Sequence, residues 1–209
     1  MKTLLLALCI AAHAASPNDA AKIVYTKSFP GSSPAYVSIT VDRSGQVSYK
    51  EEVDDDDPEK FQLEDSGTEV MFDLAARLDH FKHPLESGLK VANMGMKTFR
   101  WEEGGTSSEQ KFNYSIDENA KALHDWFEAI TETERLFAEL KRAARHDKLG
   151  VHEALIHIEA TWAQRRLTGA EQFLPLLDQI AQNEIYLHMA RQRAAVLGEA
   201  IRASKAKAQ

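Results

Sequence analysis

The chain has 209 residues, of which 32 are acidic and 25 are basic, and its formal net charge is −7. This excess of acids argues against nucleic acid as a partner, because the phosphate backbone attracts basic surfaces. With 44% hydrophobic residues and one cysteine, the composition suits a globular protein with its own core and excludes a disulfide-rich scaffold.

The first fourteen residues have the features of a cleaved export signal. Lys2 supplies a positive charge, residues 4–12 form a short apolar run, and Ala12 and Ala14 occupy the −3 and −1 positions of a signal-peptidase site. The run is shorter than the ~20 apolar residues of a membrane span. We therefore predict a signal peptide over 1–14 and an exported protein, periplasmic or secreted, without an integral membrane segment after cleavage. Removal of the signal also removes the single cysteine.

Residues 15–116 show the two-residue period of strands. Val37, Ile39 and Val41 alternate with polar residues, and residues 42–45 have the composition of a hairpin turn. Further strands are predicted around Ile23, Val47, Phe61, Phe99 and Phe112. The connections are short or helical, which favours a mostly antiparallel sheet of five to six short strands. The fold class predicted from this half is α+β.

One helix is predicted to pack on this sheet. Ser66 and Glu69 have the spacing of a capping box at a helix start. Pro84 is expected to end the helix near His83. The segment from Leu85 to Met96 is predicted to be a loop. Apolar residues of the helix recur on one face, at Val70, Leu74, Leu78 and Phe81.

From Ser115 onward the apolar period changes to 3.6 residues. A capping box of Ser115 and Glu118 opens a helix predicted to reach His146, and a second helix is expected between Val151 and the Thr168–Gly169 turn. A third long helix is predicted from Leu176 to Ile201. These helices over 117–205 are expected to form an antiparallel bundle, followed by a disordered tail at 206–209.

The helix over 117–146 is expected to belong to both halves of the chain. Its first apolar residues should pack on the sheet, at Leu123, Phe127 and Ile130. Its later ones should pack on the other helices, at Phe137, Leu140 and Ala144.

The stretch from Phe29 to Tyr49 resembles a bacterial exported domain family of unknown function, which has a Gly-x-Cys-Pro-x-Tyr turn followed by a D-G-x-V-x-Y hairpin. Ser33 stands where that family has its cysteine, so any role of the cysteine is absent here. The resemblance covers about residues 22–130 and implies a topology without an activity. The matching residues are Gly31, Pro34, Tyr36, Gly45, Val47 and Tyr49.

Candidate chemistry is sparse. His80 and His83 are three residues apart at a predicted helix end, with Glu86 three residues further on, but Pro84 takes Glu86 off the helix. Residues 54–57 are four aspartates that lack the ligand register of a calcium loop and are interpreted as a surface turn. We therefore assign no catalytic, metal or cofactor-binding residue, and no cofactor, from the sequence.

The leading functional hypothesis is an exported, non-enzymatic binding or structural module with an unidentified protein partner. One alternative is a hydrolase with a site near His80 and His83 and an acid from the following loop. Another is an inhibitor of an exported enzyme, which would use a protruding rigid loop, with Leu85 to Met96 as the candidate.

Charge is concentrated in two blocks. Residues 51–69 hold ten acids and one base, whereas residues 191–209 hold five bases and one acid. Such blocks are most often solvated. They also allow a weak, salt-sensitive homo-oligomer, in which Arg191, Arg193, Arg202 and Lys205 face the acidic block of a second copy.

We expect cleavage between Ala14 and Ala15. N-terminal sequencing of the exported protein should begin Ala15-Ser16-Pro17, because the small residues of the site precede that bond. An exported protein that retains Met1 would contradict the prediction.

Overall fold

The computed structural model of the protein describes residues 20–208, so the predicted signal peptide and Cys9 lie outside the described residues. Its strands are β1 (Lys22–Ser28), β2 (Tyr36–Asp42), β3 (Gln46–Lys50), β4 (Glu59–Gln62), β5 (Met96–Glu103) and β6 (Thr106–Phe112). Its α-helices are α1 (Asp65–Arg77), α2 (Glu118–His146), α3 (Val151–Ala163), α4 (Leu174–Gln182) and α5 (His188–Ala208).

The six strands form one sheet in the order β4-β3-β2-β1-β5-β6, and every neighbouring pair is antiparallel. The first strand of the described chain is therefore internal to the sheet. Tyr25 of β1 pairs with Ile39 on one side and Phe99 on the other. The predicted α+β fold with a mostly antiparallel sheet is confirmed.

Helices α1 and α2 cover one face of the sheet and enclose the first core. The alternation of β2 places Val37, Ile39 and Val41 in this core. The Phe127 ring of α2 stacks on the Tyr25 ring, with 4.5 Å between centroids and an interplanar angle of 8°. Aromatic stacking of this kind adds to the free energy gained by burying both rings.

A second core lies among the helices of the C-terminal half. Phe173 and Leu177 are fully buried there, between the end of α3 and the middle of α4. Helix α2 supplies both cores, as the sequence predicted. Leu123, Phe127 and Ile130 lie in the first core, whereas Leu140 and Ala144 lie in the second and Phe137 packs against it.

Both predicted capping boxes are wrong. Helix α1 begins one residue before Ser66 and has Glu64 as its N-cap. The N-cap of α2 is Asp117, whose carboxylate accepts from the backbone N–H groups of Asn119 and Ala120. An aspartate is as good an N-cap as a serine, and Ser115 instead accepts from the Asp117 N–H at 3.3 Å.

The predicted third long helix is two helices. Helix α4 ends at Gln182 and α5 begins at His188. Between them the Asn183 side chain accepts from the Ile185 N–H at 3.1 Å, and the Tyr186 hydroxyl donates to the Ala144 carbonyl at 3.2 Å. The apolar spacing continues across the break, where Tyr186 is buried between the two helices' ends.

Other helix ends also differ from the predictions. Helix α1 stops at Arg77, before Pro84, because residues 79–81 adopt positive φ values and form a short 3-10 turn. Helix α3 stops at Ala163 rather than at Thr168. Helix α5 continues to Ala208, past the predicted end at 205, since alanine and lysine both favour helix.

Within residues 20–208, none of the helices has both the length and the apolar character that crossing a membrane requires.

The shared position of α2 predicts a large loss of stability when Phe127 is truncated. Phe127→Ala should lower the free energy of unfolding by ~3–5 kcal/mol, because it empties a fully buried aromatic site. Val196→Ala, at an exposed position of α5, serves as the control and should cost less than about 0.5 kcal/mol. Denaturant titration measures both; a cost below about 1 kcal/mol for Phe127→Ala would contradict the shared-helix packing.

Candidate functional site

The segment between Leu85 and β5 is an irregular loop with exposed apolar side chains, and we call it the 86–95 loop. Leu85 is buried in the first core and fixes one end. The solvent-exposed fraction is 57% for Leu89, 39% for Val91 and 49% for Met94, and it is 50% for Met96 at the start of β5. Four large apolar side chains thus face solvent within eight residues.

Asn113 braces this loop from the far end of β6. Its side-chain amide donates to the Ala92 carbonyl at 2.9 Å, and its side-chain oxygen accepts from the Met94 N–H at 2.7 Å. Its backbone N–H donates to the Glu86 carboxylate at 2.6 Å. A single residue therefore contacts both the start and the end of the loop.

The Lys97 side chain holds the C-terminal end of the loop. Its ammonium group donates to the carbonyls of Met94, Gly95 and Asn113 at 3.2, 3.0 and 2.7 Å. Gly95 has φ +86°, and a Cβ there would lie 2.9 Å from Phe29 Cβ. A side chain at this position would push the loop away from the end of β1.

A network of ionisable side chains lies next to Lys97. Lys27 is the register partner of Lys97 on β1, and its Nζ lies 2.9 and 2.8 Å from the two carboxylate oxygens of Glu128. The Tyr25 hydroxyl donates to Glu128 Oε1 at 3.2 Å and lies 3.2 Å from His124 Nδ1. Because tyrosine has one hydroxyl proton, His124 fits this network as the Nδ1–H tautomer.

Burial and neighbouring charges set the protonation states of this network. Burial lowers the pKa of His124 to about 4, so its imidazole is neutral at pH 7. The Glu128 charge acts in the opposite direction, and the charges of Lys97 and Lys27 add to the lowering. Burial and the nearby Lys27 lower the pKa of Lys97. Burial, followed by the Glu128 charge, raises the pKa of Tyr25 far above its usual range.

This arrangement surrounds Lys97, which positions the loop. The Tyr25 side chain is fully buried, and all three protons of the Lys97 ammonium have carbonyl acceptors. The network joins β1 to α2, and Lys97 lies beside it on β5 with its own contacts to the loop.

The residues of the hydrolase hypothesis each have a different structural partner. The His80 ring lies 4.2 Å from the Trp101 ring, centroid to centroid. The backbone carbonyl of His80 accepts a hydrogen bond from the Ser108 hydroxyl. His83 is 76% exposed, and its Nε2 lies 3.2 Å from Asp79 Oδ2. Glu86 accepts from Asn113, a contact that lowers the pKa of Glu86.

Metal ligation has no geometric basis in the described part of the chain. Among residues 20–208, no three histidine, cysteine, aspartate or glutamate side chains are placed to hold one ion. The four aspartates at 54–57 lie in the turn between β3 and β4, as the sequence indicated.

Three of the four basic residues proposed for self-association have partners in their own chain. Arg193 pairs with Glu159 of α3, and Arg202 pairs with Asp178 of α4 at 2.5 Å. Lys205 pairs with Glu171 at 2.6 Å, in the turn before α4. These pairs link α5 to α3, to α4 and to the turn before α4.

Sequence reasoning missed the residues that hold the loop, although two signals were available. Lys97 alternates with Phe99 and Trp101 on the core-facing side of β5. His124 and Glu128 are four residues apart on α2, which places them on one helix face. No sequence signal distinguishes Asn113, because its role depends on where β6 ends.

Comparisons with protein-family models, with curated proteins and with solved structures found no match to this chain.

Removal of the Asn113 side chain should loosen the loop. Asn113→Ala loses two hydrogen bonds, each with a net contribution of about 1 kcal/mol, so local opening should rise about 5- to 30-fold. Trypsin cleavage after Lys90, an exposed loop residue, measures this opening. The control is Asn119→Ala, in the first turn of α2. Equal cleavage rates for both variants would show that Asn113 does not brace the loop.

Proposed function

We propose that the protein is an exported binding module without catalytic activity, which docks on a partner protein through the 86–95 loop and Met96. The observation that carries the proposal is the combination of exposed apolar side chains with a fixed backbone. Leu89, Val91 and Met94 are exposed, while Asn113 and Lys97 hold the backbone that bears them.

Energetics favour this combination for docking. Complete burial of a fully exposed large apolar side chain is worth ~1.5–3 kcal/mol. These four side chains are about half exposed, so each has roughly half of that free energy left to contribute on docking. A mobile loop would lose part of that gain in ordering its backbone, whereas a braced loop has already lost this freedom on folding. The partner surface that fits is an apolar groove.

Inhibition of an exported enzyme is a specific form of this proposal. Hydrogen bonds within the protein fix the backbone of the loop. A segment that occupies the cleft of another protein benefits from such fixing, because its backbone then keeps its shape on binding. The hydrolase alternative gains no support, since His80, His83 and Glu86 serve separate structural contacts.

Nucleic acid remains an unfavoured partner in this proposal because of the net charge of −7. Weak self-association also remains a prediction, but Arg193, Arg202 and Lys205 would first have to leave their present partners. Export and the resemblance to the exported bacterial domain family are likewise retained as proposals.

Site-specific photocrosslinking tests the docking surface. A photoreactive residue at Val91 should crosslink the protein to a discrete partner in the exported fraction of cells that produce it. The same residue at Val196, which is exposed on α5, is the matched control and should give no such product. Leu89→Asp in the Val91-labelled protein should abolish the product, because it places a charge in the apolar contact.

The outcome at the two positions decides the proposal. A product from both positions, or from Val196 alone, would show that the loop is not the docking surface. If the crosslinked partner is an enzyme, its activity with and without added protein distinguishes inhibition from simple binding.

A further inference from the structure

Strand β6 forms an open edge of the sheet. It stands last in the order β4-β3-β2-β1-β5-β6, and within residues 20–208 no other strand pairs with its outer side. The opposite edge differs, because β4 has only four residues and the turn before α4 packs against it. A Cβ at Gly169 of that turn would lie 2.6 Å from Phe61 Cδ2 of β4. The sheet therefore has one short, covered edge and one long, open edge.

Most of the features that keep edge strands from pairing with another chain are absent from β6. Natural edge strands are shortened, interrupted by proline, bent by a bulge, covered, or given charged side chains. Strand β6 has seven residues without a proline, and all seven pair with β5 in an unbroken register. Its backbone is therefore regular enough to accept a further strand, and only its charged side chains restrict which strand that is.

The turn before β6 determines which backbone groups point away from the sheet. Residues 104 and 105 are glycines with φ values of +54° and +77°, and they form a two-residue hairpin turn between β5 and β6. The residues on either side of the turn, Glu103 and Thr106, lie opposite each other. Such a pair exchanges backbone hydrogen bonds, and every second pair after it does the same. The residues that direct their N–H and C=O groups outward are consequently Ser107, Glu109 and Lys111.

Glu109 and Lys111 are the charged side chains of this edge. They are two residues apart on β6, so they lie on the same face of the sheet, and both are exposed. Within one chain Lys111 Nζ lies 3.3 Å from Glu109 Oε1. Arg100 is the register partner of Glu109 on β5. The edge thus presents a negative charge followed two residues later by a positive one.

We propose that β6 is a self-association edge, to which a second copy adds its own β6 in the antiparallel direction about a two-fold axis at Gln110. In this register Glu109 of each copy lies opposite Lys111 of the other, and the outward N–H and C=O groups of both residues are paired. Registers centred on Glu109 or on Lys111 would place like charges opposite each other, which destabilises a strand pair. Charge complementarity therefore selects both the partner and the register.

The contact is short, so the expected dimer is weak. The N–H of Asn113, the residue after β6, is already donated to Glu86, which ends the open edge there. The net charge of −7 makes two copies repel each other. At ~0.15 M salt the Debye length is ~8 Å, which screens this long-range repulsion more than the directly opposed pairs. We expect a dissociation constant between ~1 µM and ~1 mM, at the weak end for protein interfaces.

Charge reversal tests the register. Glu109→Lys or Lys111→Glu alone places like charges opposite each other and should weaken dimerisation about 10- to 100-fold in sedimentation analysis. An equimolar mixture of the two variants restores opposite charges at both pairs and should form a heterodimer. Lys60→Glu, at an exposed position of β4, is the matched control. It changes the net charge as Lys111→Glu does, and it should dimerise as the wild-type protein does.

Hydrogen exchange gives a second measurement, which does not depend on the charges. The amides of Glu109 and Lys111 should become more protected as the concentration of the wild-type protein rises, because each then donates to the second copy. The Gln110 amide already donates to β5 and should not change.

The proposal would be overturned by a wild-type protein that is monomeric at ~1 mM. A dimer that neither β6 substitution weakens would also overturn it, since its interface would lie elsewhere. So would a mixture of the two variants that stays monomeric, because Glu109 and Lys111 would then not lie opposite each other.

Discussion

The packing of α2 against the sheet is the constraint on which both halves of the molecule depend. Its first turns stack Phe127 on Tyr25 above the central strand, and its last turns bury Leu140 among the other helices. A helix of 29 residues is rigid over this distance, so its seating on the sheet also fixes where the second core forms. The polar side chains of Thr133 and Glu134 lie where the helix passes from one core to the other.

Periodicity was sufficient for elements that keep one continuous buried face, whichever core that face meets. The alternation of β2 and the apolar face of α2 correctly predicted which residues are buried. Periodicity failed between α4 and α5, where apolar spacing continues but the chain breaks. A local turn at Asn183 lies at the break, and so does Tyr186, whose hydroxyl reaches the carbonyl of Ala144, 42 residues earlier in the chain. Local patterns do not contain contacts of this range.

In the candidate site, too, the features that depend on neighbouring residues were predicted and those that depend on distant contacts were not. The sequence predicted an irregular segment over 85–96, because that segment lacks a regular apolar period. It did not predict what fixes the segment, since Asn113 and Lys97 meet it only after β5 and β6 have paired. Glu134 of α2 is buried and accepts from the Gln172 side chain, 38 residues downstream, and no local pattern distinguishes it from Glu132 on the same helix.

The position of β1 in the middle of the sheet has a consequence for how the chain acquires its structure. The strand at the start of the described chain needs β5 as a neighbour, and β5 ends at Glu103. A chain that emerges from a ribosome or a translocation channel with its N-terminus first cannot complete this sheet until about half of it is free. Non-local pairing of this kind is slow, so β1 lacks its second neighbour until β5 has been made, and the sheet closes late in the assembly of the fold.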